Sequence, residues 1–98
     1  MGTLQIWNIS MLNDIKLHCR VCGYRSESPP WGEDGLTPLF DFCPCCGVEH
    51  GYQDSTEFSA RRYRVGWISA GAKWEEPHAK PEGWLLNEQL NCVPPGFK

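Results

Sequence analysis

Cys19-Arg20-Val21-Cys22-Gly23 and Cys43-Pro44-Cys45-Cys46-Gly47 each set two thiols three positions apart and close with glycine. In a Cys-x-x-Cys turn the chain reverses, so both sulfurs face one point and nearby N–H groups can donate to the thiolates. Gly23 and Gly47 suit the next position, which often needs the positive φ that glycine adopts without a Cβ penalty. A single pair of this kind would serve redox chemistry as readily as metal binding. Two pairs with 20 residues between them supply four sulfurs, the full coordination of a closed Zn or Fe site. The ligand set is therefore Cys19, Cys22, Cys43 and Cys46. Pairing Cys43 with Cys45 instead would strand Cys46, the residue next to Gly47. Cys45 is expected to point its thiol away from the ion, the alternative being a second-metal or redox role, and Cys92 is expected to behave as a small apolar residue. His18, His50 and His78 compete weakly, because four sulfurs already fill a tetrahedron. With no position left for water, such an ion cannot act as a Lewis acid or generate hydroxide.

The elements around these turns must deliver the sulfurs. Ile15-Lys16-Leu17-His18-Cys19 alternates apolar and polar residues, which predicts a half-buried strand leading into Cys19. Leu39-Phe40-Asp41-Phe42-Cys43 alternates in the same way and predicts a strand feeding Cys43. Between the turns, residues 26–35 are rich in breakers and acids and predict an irregular loop anchored by Trp31. Residues 4–9, with Leu4, Ile6, Trp7 and Ile9, could form an edge strand or an arm. Beyond Cys46, Asp54 and Glu57 are spaced as a capping box, and Phe58 to Ile68 predict a helix ending near Gly71 in spite of Gly66. A polar connection with two prolines leads to a short helix around residues 84–90. The fold class expected is a small metal-bound α+β domain, residues 1–98, with a metal-binding ribbon over 15–50 and a helical extension over 55–92 packed on it. Beyond the two turns no internal repeat is evident.

Composition narrows the functional classes. At 98 residues the chain suits one small core rather than two. Its opening lacks the basic start and apolar run of a signal peptide, so reduced thiols in the cytoplasm are expected. No apolar stretch reaches the length of a membrane span. The formal charge is −3; four thiolates around a dication would make it −5, which opposes nucleic-acid binding. Five Trp, three Tyr and four Phe suggest a core supplied mainly by bulky aromatics, with a metal completing it.

The stretch CRVCGY…CPCCGV resembles the two metal-binding loops of rubredoxins, with Cys19, Cys22, Gly23 and Tyr24 matching the first loop and Cys43, Pro44, Cys46, Gly47 and Val48 the second. The same positions resemble rubredoxin-like zinc ribbons. The resemblance implies a rubredoxin-like fold over the central third of the chain, and in rubredoxins it implies one-electron transfer by iron. The segment from His18 through Trp84, with PPWGEDG, FDFCPCCG and RRYR, is similar to small bacterial cysteine-rich proteins bearing a CPCC signature. That likeness implies a cytoplasmic bacterial protein with a structural metal and no settled activity, some of whose relatives accompany toxins.

On these grounds the chain reads as a zinc-stabilised protein-binding module rather than an enzyme. It has no Ser/His/Asp or Cys/His nucleophile spacing and no phosphate loop, and its reactive thiols are consumed by the metal. A contact face for an unnamed protein partner is offered by Trp31, Glu33 and Asp34 in the loop and by Arg61, Arg62 and Arg64 on the helix. The bland alternative makes the arginines a solvated helix face and the tryptophans core. Two further readings stay open: a rubredoxin-like iron electron carrier using the same thiolates, and a zinc-ribbon nucleic-acid binder using the arginines with Trp67 or Trp74.

Overall fold

The longest regular element is the helix α1, Glu57–Ser69. It forms where expected, and its first turn is closed by Thr56. The Thr56 hydroxyl accepts from the Ser59 N–H at 3.0 Å, while the Ser59 hydroxyl accepts from the Thr56 N–H at 3.1 Å. This is a capping box two positions along from the Asp54/Glu57 pair the sequence suggested; Asp54 is committed elsewhere. At the far end Gly71 takes φ +106° and donates to the Ile68 carbonyl at 2.9 Å, which turns the chain out of the helix. α1 buries a narrow stripe, Ala60 and Trp67 with half-buried Tyr63 between them. Phe58, Val65 and Ile68 stay exposed.

A 3-10 turn, Pro77–Ala79, and a short helix α2, Leu86–Leu90, follow. They are pinned by aromatic contacts: Trp74 stands edge-on to Tyr24 at 5.7 Å and to Trp84 at 5.5 Å between ring centres. These contacts bring the C-terminal third of the chain onto the first cysteine turn.

These features come from a computed structural model describing residues 14–98; the arm or edge strand considered for residues 4–9 lies outside the described residues. Within them neither expected strand forms, so nothing there confirms the rubredoxin-like β part. Asp14 and Ile15 are helical, and the Leu17 and His18 amides bond back three residues to Asp14 and Ile15. In the second approach Phe40 takes φ +58°, which breaks an extended run. What remains of β pairing is two isolated antiparallel bridges, His18 with Arg25 and Phe42 with Glu49. Each tight turn satisfies its own backbone groups, so little ladder is left to extend. Among the described residues no helix is long and apolar enough to cross a membrane.

The core also departs from expectation. Among the described residues, five of the eleven buried apolar ones are cysteines, Cys19, Cys22, Cys43, Cys45 and Cys46, and the largest fully enclosed apolar side chains are Val21 and Val48. Sulfur and small aliphatics fill the centre, with Trp67 and Trp74 the only aromatics buried among the described residues. Phe40, Phe42, Tyr52 and Phe58 all lie on the surface.

Candidate metal centre

The two cysteine turns have the same backbone. In the first, the Cys19 amide donates to the Tyr24 carbonyl and the Gly23 amide to the Cys19 carbonyl, at 2.9 and 3.0 Å. In the second, Cys43 donates to Val48 and Gly47 to Cys43, both at 2.9 Å. Outside them, Ser26 donates to Leu17 and His50 to Asp41, both at 2.9 Å. Each of these backbone bonds has its counterpart 24 positions along the chain. Gly23 at φ +84° and Gly47 at φ +79° occupy the left-handed position that closes each turn. The correspondence pairs Cys45 with Val21, and both are fully buried. Cys45 therefore takes the place of a small core residue.

The turns bring Cys19, Cys22, Cys43 and Cys46 together, their sulfurs all within 4.8 Å of one another. Cys19 and Cys46 are 3.8 Å apart and Cys22 and Cys43 3.6 Å, both contacts running between the two turns. A disulfide would need about 2.05 Å. A regular tetrahedron with Zn–S bonds of about 2.3 Å has edges of about 3.8 Å. The spacing thus fits a tetrathiolate and excludes bonded pairs, and burial removes water as a competing ligand. Donors also reach the sulfurs and the turns: the Val21 amide donates to Cys19 Sγ at 3.4 Å, and Gln89 Nε2 donates to Cys45 Sγ at 3.2 Å and to the Cys22 carbonyl at 3.1 Å.

Without a cation the four thiols compete for protons. Hydrogen bonds from Cys19, Cys22 and Cys46, joined by His50, overcome burial and hold Cys43 far below the ordinary thiol range. Burial, reinforced by neighbouring sulfurs, pushes Cys22 and Cys46 well above it. Negative charge is thus already favoured at one sulfur, and a dication would extend it to all four.

A buried polar relay of Trp31, His50 and Asp54 flanks Cys43; from the sequence Trp31 is expected on a contact face, His50 only as a weak ligand and Asp54 as a helix cap. Asp54 is fully enclosed and accepts from His50 Nδ1 at 2.9 Å, Trp31 Nε1 at 2.9 Å and the Gly51 amide at 2.8 Å. Burial would raise the Asp54 carboxyl, but these donors outweigh it and lower the pKa. Burial likewise works against charge on His50, yet Asp54 and the Cys43 sulfur offset it and raise the imidazole to about 10. The i,i+4 spacing of His50 and Asp54 just after the second turn was the available signal. What it lacked was Trp31, brought in from 23 positions away.

The proposed contact residues have varied fates. Trp31 is half-buried, with the Arg20 guanidinium 3.8 Å above its ring, so it anchors the loop as expected. Glu33 is exposed and reaches Lys16 at 3.6 Å. Asp34 folds its carboxylate back onto the Leu36 amide and Thr37 hydroxyl. Arg61 donates to the Lys98 carbonyl at 2.6 Å. Arg64 is turned inward, bonding the Val21 and Arg20 carbonyls at 2.6 and 2.9 Å and also the Phe97 carbonyl. The structure therefore gives Arg64 to the first cysteine turn instead of to an outer face. The matching carbonyls of the second turn, Pro44 and Cys45, accept backbone amides of Glu76 and Glu75 at 2.9 Å each. Arg62 remains exposed on α1. Among the cysteines outside the cluster, Cys45 is enclosed and Cys92 exposed; His78 is exposed and stands 3.5 Å from Glu76.

Comparison with known proteins finds two relatives in Bacillus subtilis (strain 168). The uncharacterized protein YozI is 30% identical over 80 residues, covering 65% of this chain and 66% of the relative. The uncharacterized protein YoaQ is 32% identical over 81 residues, covering 65% of this chain and 67% of the relative. The chain thus spans about two thirds of the length of each. No protein-family model matches the chain, and no solved structure matches it.

Proposed function

This chain belongs to the family of the Bacillus proteins YozI and YoaQ, and we propose that it is a zinc-stabilised, non-catalytic module that binds another protein. Cys19, Cys22, Cys43 and Cys46 would hold one Zn²⁺ whose role is to join the two turns. The observation that carries this is the buried set of four sulfurs at tetrahedral spacing. All four positions of the ion would be taken by thiolate, which suits a structural centre and leaves no place for substrate. The single domain of residues 1–98 and the cytoplasmic setting expected from the sequence belong to the same proposal, since thiolate sites persist where thiols stay reduced. The net charge of −3 favours a protein over a nucleic acid as partner.

Elemental analysis of protein purified from its native source should find one zinc per chain. Red protein with thiolate-to-iron charge-transfer bands, bleached by dithionite, would replace this with the iron electron-transfer reading. Cys22→Ser and Cys46→Ser should each lose the metal, whereas Cys45→Ser should keep it. Metal retained by Cys46→Ser and lost by Cys45→Ser would overturn the ligand set.

A further inference from the structure

Two exposed surfaces of this chain are both aromatic and carry opposite charges. The first is a groove of about 730 Å³ on α1, walled by Tyr52, Phe58, Tyr63 and Trp67 and bordered by Arg62 and Gly66. Tyr52 and Phe58 are 71% and 72% exposed, so aromatic surface stands open to water. Arg61 and Arg64 are bound to carbonyls. The guanidinium of Arg62 has no ion pair or hydrogen bond among the described residues. Gly66 is the odd residue of this helix, since glycine inside a helix costs about 1 kcal/mol relative to alanine. No neighbour requires it, because a Cβ there would meet nothing within 4 Å. A longer side chain at position 66 would occupy the groove.

The second surface is Phe40-Asp41-Phe42. Both rings are exposed, at 59% and 62%, and the carboxylate between them has no partner among the described residues. The strip is held in place. Phe40 sits at φ +58°, a costly conformation for a bulky side chain. Its ring lies so close over Gly51 that a Cβ there would stand 2.7 Å from Cε1. Asp41 accepts the His50 amide, and Phe42 bridges to Glu49.

We propose that the partner of this module is a second copy of the same chain. The Phe40-Asp41-Phe42 strip of each copy enters the aromatic groove of the other and sets Asp41 on Arg62. The strip is ring, acid, ring; the groove is rings around an unanswered cation. Gly51, under the Phe40 ring, precedes Tyr52 of the groove, so strip and groove adjoin. A two-fold axis beside that edge lets both insertions occur at once and closes the assembly at two chains. Residues 1–13 are the other apolar candidate for the groove, but they carry no acidic side chain to meet Arg62.

The inference deepens the binding-module reading and rests on it, and one experiment separates their failures. Full-length zinc-loaded protein is followed by sedimentation or light scattering across concentration, with zinc measured in the same fractions. The mass should approach twice 11.2 kDa. Asp41→Arg and Arg62→Asp should each weaken association at least about tenfold, equivalent to about 1.4 kcal/mol. An equimolar mixture of the two variants should recover it, because both contacts are then restored in the mixed dimer. Gly66→Leu should dissociate the dimer while raising the thermal midpoint of the chain. A monomer at every concentration, including one whose groove is covered by its own residues 1–13, would overturn the proposal. So would a dimer indifferent to both charge reversals. Zinc-free fractions would instead count against the metal reading.

Discussion

Asp54 is the residue whose loss should be felt most outside the cysteines. Asp54→Asn removes the charge that His50 faces and turns one of the two acceptor oxygens, Oδ2 that serves His50 and Trp31 or Oδ1 that serves Gly51, into a donor. Breaking a buried pair of this kind typically costs 3 kcal/mol or more, so denaturant unfolding should show a loss of about 3 kcal/mol near pH 6. The pH dependence has a definite sign. His50 is raised from 6.5 to about 10, so the stability from its charge is complete below pH 6.5 and is lost as pH rises toward 10. Asp54 is lowered from 3.8, so its contribution is present above pH 3.8 and is lost on acidification below that. The deficit of Asp54→Asn should therefore be widest between about pH 4 and 6.5 and shrink by pH 9.5; a deficit that grows with pH would refute the pairing. None of this could be read from the chain alone. The cysteines announced themselves because a turn and its chemistry are both local, written within five residues. Asp54 carried an equally local signal for a helix cap, and only the approach of Trp31 shows that the carboxylate faces inward.

At the scale of elements, contact between α2 and the first cysteine turn can be tested at Gly23. A Cβ there would lie 2.1 Å from the Gln89 carbonyl oxygen and would also demand φ +84°. Gly23→Ala should cost more than the ~1–2 kcal/mol of a left-handed alanine, because the backbone of α2 has to move. Gly35 is the control: its φ is +72° but no atom lies within 4 Å of its Cβ position. Gly35→Ala should show the conformational cost alone, about 1–2 kcal/mol, and thermal melts of the two variants would separate clash from strain. The position of α1 was legible in the sequence because a polar run able to cap it precedes it and Gly71 ends it. The capping pair and the buried face were not: Thr56 and Ser59 form the box, and Phe58, Val65 and Ile68 stay exposed. The strands were not. Two alternating residues on either side of a self-satisfied turn have the period of a strand without a neighbouring strand to pair with. Alternation also hides the left-handed conformation of Phe40, which depends on the bare backbone of Gly51 beneath its ring.

For the whole molecule, a core built from sulfur means that the metal and the fold should be lost together. Structural zinc in small domains contributes on the order of 10 kcal/mol of apparent folding free energy, comparable with the whole stability of a domain. Chelation under reducing conditions should therefore abolish near-ultraviolet dichroism from Trp67 and Trp74 in one cooperative step. Native-like spectra after complete zinc removal would show that the aromatic contacts suffice alone. The 24-position correspondence between the turns has a further consequence. An ion held by two superposable half-sites is indifferent to which comes first, so a chain in which residues 17–26 and 41–50 traded places would offer it the same cage. What distinguishes the halves is what surrounds them: a guanidinium from α1 on one, and on the other a passing stretch of main chain together with the His50–Asp54 pair. Symmetry thus resides in the grip on the metal, and the difference between the halves in how each is covered.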